Sequence, residues 1–575
     1  MLRTLLLLLS SAAFGADLIV INANVITVDP AKPHAEAFAV ENGRFVAIGT
    51  NAEIRRLATP ATKIVDLKGA TVTPGFNDVH LHPRAVFPDD SPYSTPWLGP
   101  ERIHSMDELI AVLKRKAEKT PLGQIVSGDR YDDAKLGRHP NRHDLDKVST
   151  DHPVSITHAS GHVIAVNSYV LEKSGVTKDT PDPPGGSFDR DPDGTPNGVI
   201  RESARRLLSK ALSSSQRDIP REEQINGLLR CFREYSERGI TSAGIAGGSP
   251  ESFRAQQIVR DRGNPVRVAF MFMENSFNAV NSAGLKTGFG DDRLRVTAMK
   301  VFHGNSFSGR TCWLSEPYSD RAGYFGIPPA RPQDELNEMF LKMHHAGFQI
   351  ATHSNGDREI DMVLSAIEYA QSHDPRPDAR HRIEHASVMT QALLDRAKRD
   401  GVILVFHSYM WEHGDKLESY GETRLKMVHA YRTSLDMGIH VAAHSDSPVS
   451  AADPLLRIQD MVTRKGSNGK EYGANQRVSV DEAIKAWTLD GAYATFEEKS
   501  KGSITPGKLA DFVVLEKDPR KVAPDTIKDI VVAATYLGGE KVFSATPASR
   551  AAVRRPQPLG FYGDGDEFDA EDWIK

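Results

Sequence analysis

Two histidines one residue apart, His80 and His82, close the apolar run in TVTPGFNDVHLHP, which begins at Thr71. Side chains alternate along a strand, so the pair points one way and can grip a single cation through two imidazole nitrogens. Alone, a His-x-His pair is more often simply two polar residues on a solvated strand. Four other residues add weight: Lys300 in VTAMKVFHG, His353 in FQIATHSNGD, His385 in RIEHAS and Asp446 in HSDSP. His385 can also be read as a helix cap and Asp446 as a helix N-cap. Lys300 resists such a reading, because a lysine inside an apolar strand is costly unless paired or modified. Together the six offer the nitrogen and carboxylate donors that zinc takes in catalytic sites, where one position is left for water. One or two zinc ions are expected, with other divalent metals open.

Residues so far apart must be gathered by the fold. In INGLLRCFREYSERG-ITSAGIAGG an amphipathic helix ends at glycine and an apolar strand follows. The same unit recurs in LNEMFLKMHHAG-FQIATHSNGD, ALLDRAKRDG-VILVFHSY and YRTSLDMG-IHVAAHSD. Helices alternating with buried strands imply a parallel sheet, and this many repeats favour a closed (β/α)8 TIM barrel in the α/β class. Its strands are expected near 72–79, 239–245, 266–273, 295–302, 348–353, 381–385, 402–407 and 439–446. The six polar residues then fall at or near strand ends, which meet at one mouth. The barrel spans 71–499, with a long excursion at about 85–220 that is rich in Pro, Gly and Asp and suits a lid or binding wall. Strand-like texture at 17–70 returns at 500–550, so the two ends are expected to pair into a small β-sandwich. Residues 551–575 form an acidic, solvated tail.

With 71 basic and 76 acidic residues among 575, the net charge is −5. That balance points to neither nucleic acid nor an anionic membrane as partner, and a small-molecule substrate is expected. A homo-oligomer stays open. The start, MLRTLLLLLSSAAFGAD, has one basic residue, a short apolar run and small residues. It reads as a signal peptide over 1–15, too short to span a bilayer, so the protein is expected to be exported, periplasmic or secreted. The two cysteines, Cys231 and Cys312, make no disulfide framework and read as packing residues.

PGFNDVHLH resembles the first-strand motif of the amidohydrolase superfamily, PGxxDxHxH. SGHVIAVNS, SNGDREID, HRIEHAS, SDSPVSAADPL and GSITPGKLADFVVLEKDP are similar to amidohydrolase family 3, the branch that includes N-substituted formamide deformylase. The likeness runs from about Asp17 to Lys541. It implies that His80 and His82 bind the more buried metal and that His353 and His385 bind a second. Lys300, carboxylated on its amine, would bridge the two; the plainer alternative is a Lys300 ion pair beside one zinc. Asp446 would sit at the metal-bound water as general acid and base. The implied reaction is hydrolysis of a non-peptide amide: a metal lowers the pKa of bound water from ~15.7 to about 7, making hydroxide available at neutral pH. The alternatives are a metal-dependent lyase or isomerase on the same scaffold, and a non-catalytic binding protein.

Three positions depart from that family pattern. His303-Gly304 stands where Asp-Gly is common, His407 where a strand-7 glutamine is common, and His444 where a small residue usually precedes the aspartate by two. Extra imidazoles there suit substrate binding, proton shuttling or a further metal; equally, they hydrogen-bond neighbouring groups or line a wet pocket. His162 in SGHVIAVN resembles a family position that reaches the site from the excursion. Arg310 in SGRT either holds a substrate anion or braces a loop.

Overall fold

The computed structural model describes residues 15–547, except 89, 90, 92, 101, 216 and 217. The expected leader before Gly15 and the acidic tail at 551–575 lie outside the described residues. Among the described residues no helix is long and apolar enough to cross a membrane.

Eight parallel strands form the central sheet: β1 (Phe76–Leu81), β2 (Ile240–Ala246), β3 (Arg267–Met273), β4 (Leu294–Phe302), β5 (Gln349–Ser354), β6 (Arg382–His385), β7 (Ile403–His407) and β8 (Val441–His444). They are nearly continuous apolar runs because both faces are covered, the inner by the barrel core and the outer by helices. Small and branched residues fill the interior, with Ala246, Met271, Ala298 and Ala351 in one cluster and Val79, Ile403, Val405 and Ala442 in another. The intervening helices end as the glycines foretell. Gln333–His345 is followed by Gly347 at φ 84°, the left-handed position that terminates a helix without a side-chain clash. β8 closes onto β1 through Asp446 N–H to His80 O at 3.1 Å and His82 N–H to Ser447 O at 2.7 Å. The ring is thus sealed by the residues that could do chemistry.

The strand expected near 72–79 is two strands. Thr71–Pro74 pairs with Phe512–Leu515 in a six-stranded sheet, and the barrel strand begins at Phe76. They part at Gly75, where an added Cβ would lie 2.0 Å from Thr241 Oγ1. That six-stranded sheet also takes Asn24–Ile26, His34–Ala35, Val532–Leu537 and Glu540–Ser544. It packs on a four-stranded sheet from residues 18–66, with Phe38, Phe45 and Phe512 between them. The excursion after β1 has its own five-stranded sheet, ordered Gly186–Arg190, Pro196–Glu202, Val163–Val166, Val154–His158, Val126–Tyr131, and its own apolar cores.

Candidate metal centre

Strand register gathers the site. Met273 pairs with Lys300, Phe302 with His353, Ser354 with His385, and His407 with His444. At its head, Arg382 donates two bonds to Glu384, at 2.7 and 2.8 Å. Glu384 so held accepts from His80 Nδ1 at 2.5 Å. The proton is therefore on Nδ1, and the Nε2 lone pair faces inward, 3.3 Å from Lys300 Nζ and 3.4 Å from Asp446 Oδ1. All four side chains of this relay, Arg382, Glu384, His80 and Lys300, are fully buried.

Asp446 stands between two groups of rings. Oδ1 lies 3.3 Å from His82 Nε2, while Oδ2 lies 4.0 Å from His385 Nδ1 and 3.9 Å from His407 Nδ1. His444 packs at ring-centroid distances of 4.7 Å from His80, 5.0 Å from His385 and 4.8 Å from His407. Burial first, and then neighbouring cations and imidazoles, hold His80, His385, His407 and His444 well below the usual histidine pKa. Neutral imidazole is the form that binds metal.

Two of these residues sit in unusual backbone. His385 has φ 70° and Asp446 φ 54°, a region L-residues enter only when the surroundings enforce it. Asp446 therefore faces the rings from beyond the end of β8, not by the simple alternation with His444 that the sequence suggests. The turn at His385 likewise lets Glu384 and His385, neighbours that alternation would send to opposite faces, both serve the site. Below them Asp78 accepts from Ser445 N–H at 3.1 Å, and burial pushes its carboxyl up to about 7.

His353 lies at the margin, its ring 4.7 Å from His385 and its Nε2 3.3 Å from Asn305 O and 3.2 Å from Asn355 Nδ2. His162 reaches in from the excursion, 5.2 Å from His353 and bonded to Glu202 at 2.7 Å. His303 is buried with neither ring nitrogen bonded, and burial, then Arg331, lowers it to about 3. Arg310 donates to Asp133 at 2.8 Å, tying its loop to the excursion. Cys312 lies buried 3.2 Å from Tyr318 Oη, and burial pushes its thiol up, away from nucleophilic use.

Glu384, Arg382, Asp78 and Glu202 were not singled out from sequence. Arg382, Glu384 and Asp78 stand inside RIEHAS and PGFNDVHLH and Glu202 in GVIRESA, but what each touches is a tertiary fact. Beside the cluster opens a narrow cleft lined by His82, Arg84, Asp129, Arg130, His158 and Val449 among others. The donor set fits a divalent cation of the zinc class. The rings of His80, His385, His407 and His444 are buried and neutral, Glu384 fixes the tautomer of His80, and the Asp446 carboxylate faces His82, His385 and His407.

The amidohydrolase family profile matches residues 63–543. The chain is 28% identical over 531 residues to the putative amidohydrolase YtcJ of Bacillus subtilis, covering 88% of this chain and 96% of that one. It is 29% identical over 540 residues to N-substituted formamide deformylase of Arthrobacter pascens, covering 91% and 97%. A solved uncharacterized metal-dependent hydrolase from Pyrococcus horikoshii superposes with a TM-score of 0.70 at 26% identity, covering 88% of this chain and 99% of that one.

Proposed function

We propose that this chain, which belongs to the amidohydrolase family and is a hydrolase acting on C–N bonds, cleaves a non-peptide amide in a small molecule. The observation that carries this is Asp446, whose two oxygens face His80 and His82 on one side and His385 and His407 on the other. His80, His82, Lys300, His353, His385 and Asp446 would hold one or two divalent cations, zinc in this proposal, which would supply Lewis acidity and water activation. Asp446 accepts a proton at its carboxylate and returns it to the departing nitrogen. Glu384 keeps the proton on His80 Nδ1, so that Nε2 stays a donor. The cleft walls, Arg84 and His158 among them, orient the substrate over His82.

The substrate class comes from the named activity of the Arthrobacter pascens relative: an N-substituted formamide or a related N-acyl amine. Lys300, fully buried with its Nζ 3.3 Å from His80 Nε2 and 4.7 Å from the Phe302 ring centroid, is proposed to carry a carbamate. Isotopically labelled bicarbonate would then give a carbamate signal by NMR in metal-loaded protein. No signal would leave the unmodified amine. From the leader-like pattern of residues 1–15 we propose that the protein works outside the cytoplasm.

The test is a panel of formamides, N-acyl amines, lactams and esters, assayed for released amine or acid in zinc-loaded and chelator-stripped enzyme. Amine release that needs the metal and is lost in Asp446→Asn supports the proposal. Zinc-loaded, folded protein that turns over no member of the panel sinks it.

A further inference from the structure

We propose that His385, His407 and His444, at the ends of β6, β7 and β8, form a three-imidazole site for a zinc-class divalent cation, separate from the position that His80, His82 and Asp446 Oδ1 surround. One ring nitrogen from each of the three lies within 4.8 Å of the other two. A tetrahedral ion with bonds of about 2.0–2.1 Å sets its nitrogens roughly 3.4 Å apart, so each ring needs to move inward by less than about 1 Å.

His444 is the strongest sign. It is fully buried, and neither ring nitrogen makes a hydrogen bond of normal geometry, the His80 backbone acting on the ring only weakly. Burying polar nitrogens without partners costs free energy that a leucine or methionine would avoid, so two such atoms on one ring at a strand end point to a ligand. His407 is already oriented to share it. Its Nε2 meets Ser450 Oγ at 3.0 Å, which turns Nδ1 toward Asp446 Oδ2 at 3.9 Å. His385 Nδ1 stands 4.0 Å from the same oxygen. Three imidazoles and one carboxylate oxygen make an N3O set, which suits zinc and its neighbours; magnesium and calcium call for oxygen-rich sites. Asp446 thus faces two cation positions, one with each oxygen. This site shares His385 and Asp446 with the hydrolytic reading and rests on it for them, but His407 and His444 hold no cation in that reading, so changes at those two separate the outcomes.

The experiment compares the zinc content of full-length wild type, His407→Leu, His444→Leu and His82→Ala after stripping and reloading. Circular dichroism checks their fold. Wild-type crystals soaked in zinc are measured at the zinc edge. The expected result is one zinc fewer per chain in His407→Leu and His444→Leu, a three-imidazole zinc retained in His82→Ala, and an anomalous peak among the three rings. Wild-type zinc content in either leucine variant, or no peak among the rings, overturns the site. If a leucine variant fails to fold, the anomalous map of wild type decides alone. A peak there in protein that hydrolyses no amide would sink the hydrolytic reading and leave this site standing.

Discussion

Two buried polar clusters flank the cleft, and they are built oppositely. Around Asp133 each oxygen is taken. Oδ1 accepts from Lys416 at 2.7 Å and meets His158 Nε2 at 3.0 Å, and Oδ2 accepts from Arg310 at 2.8 Å. Lys416 also reaches Asp132 at 3.1 Å. Burial works to raise both carboxyls, but Lys416 and His158 outweigh it and hold them below the usual range, Asp133 furthest. At the strand ends four imidazole nitrogens stand 3.3–4.0 Å from the Asp446 oxygens, and neither ring nitrogen of His444 makes a hydrogen bond of normal geometry. The first cluster balances charges internally and clasps the excursion to the barrel loops. The second sets neutral imidazoles at longer range around one carboxylate. Residue types alone do not separate a lock from a ligand site; satisfied hydrogen bonds do.

The contrast is broken most directly at Asp446. Asp446→Asn should lower kcat by about 10³-fold while leaving the thermal midpoint nearly unchanged, read by steady-state kinetics and calorimetry. A comparable activity in the variant would remove Asp446 from proton transfer. At the other cluster the effect should move to stability. Lys416→Met leaves Asp132 and Asp133 short of their cation and should cost about 3–5 kcal/mol in urea unfolding. A loss under about 1 kcal/mol would show the clasp to be surface-like.

Subtler changes sharpen the comparison. Glu384→Gln frees the His80 tautomer, so zinc affinity should fall by about 10–100-fold in competition with a chelator, with the fold intact. Unchanged affinity would mean that His80 needs no orienting partner. His303 supplies the smallest effect, an unsatisfied imidazole away from the cluster. Its folded pKa is about 3, below the ordinary 6.5. As pH falls below about 6.5 the unfolded chain takes up a proton that the folded chain refuses, so stability is lost. Between pH 7 and pH 5 wild type should therefore lose about 2 kcal/mol that His303→Leu does not, seen as a narrowing gap between urea curves. Parallel curves would show that His303 takes a partner in solution.

Much of this was legible in the chain. Helix-then-strand periodicity and repeated helix-ending glycines specify a parallel barrel, because each unit must bury one face and terminate at a defined place. That architecture brings residues at strand ends to one mouth, so His80, His82, Lys300, His353, His385 and Asp446 were readable as one set, with His353 at its margin. What the chain alone could not show was contact. Gly75 divides a seemingly single strand because Thr241 lies against it, a neighbour 166 positions away. His385 shares the site with its neighbour Glu384 because it turns left-handed at the end of its strand. Arg310 is drawn to Asp133 and His407 to Ser450 by neighbours far away in sequence. Local pattern reports what a residue can do, since propensity and periodicity act over a few positions. Which bonds are satisfied, and which nitrogens are left waiting for a partner, is decided only when distant segments pack and water is excluded.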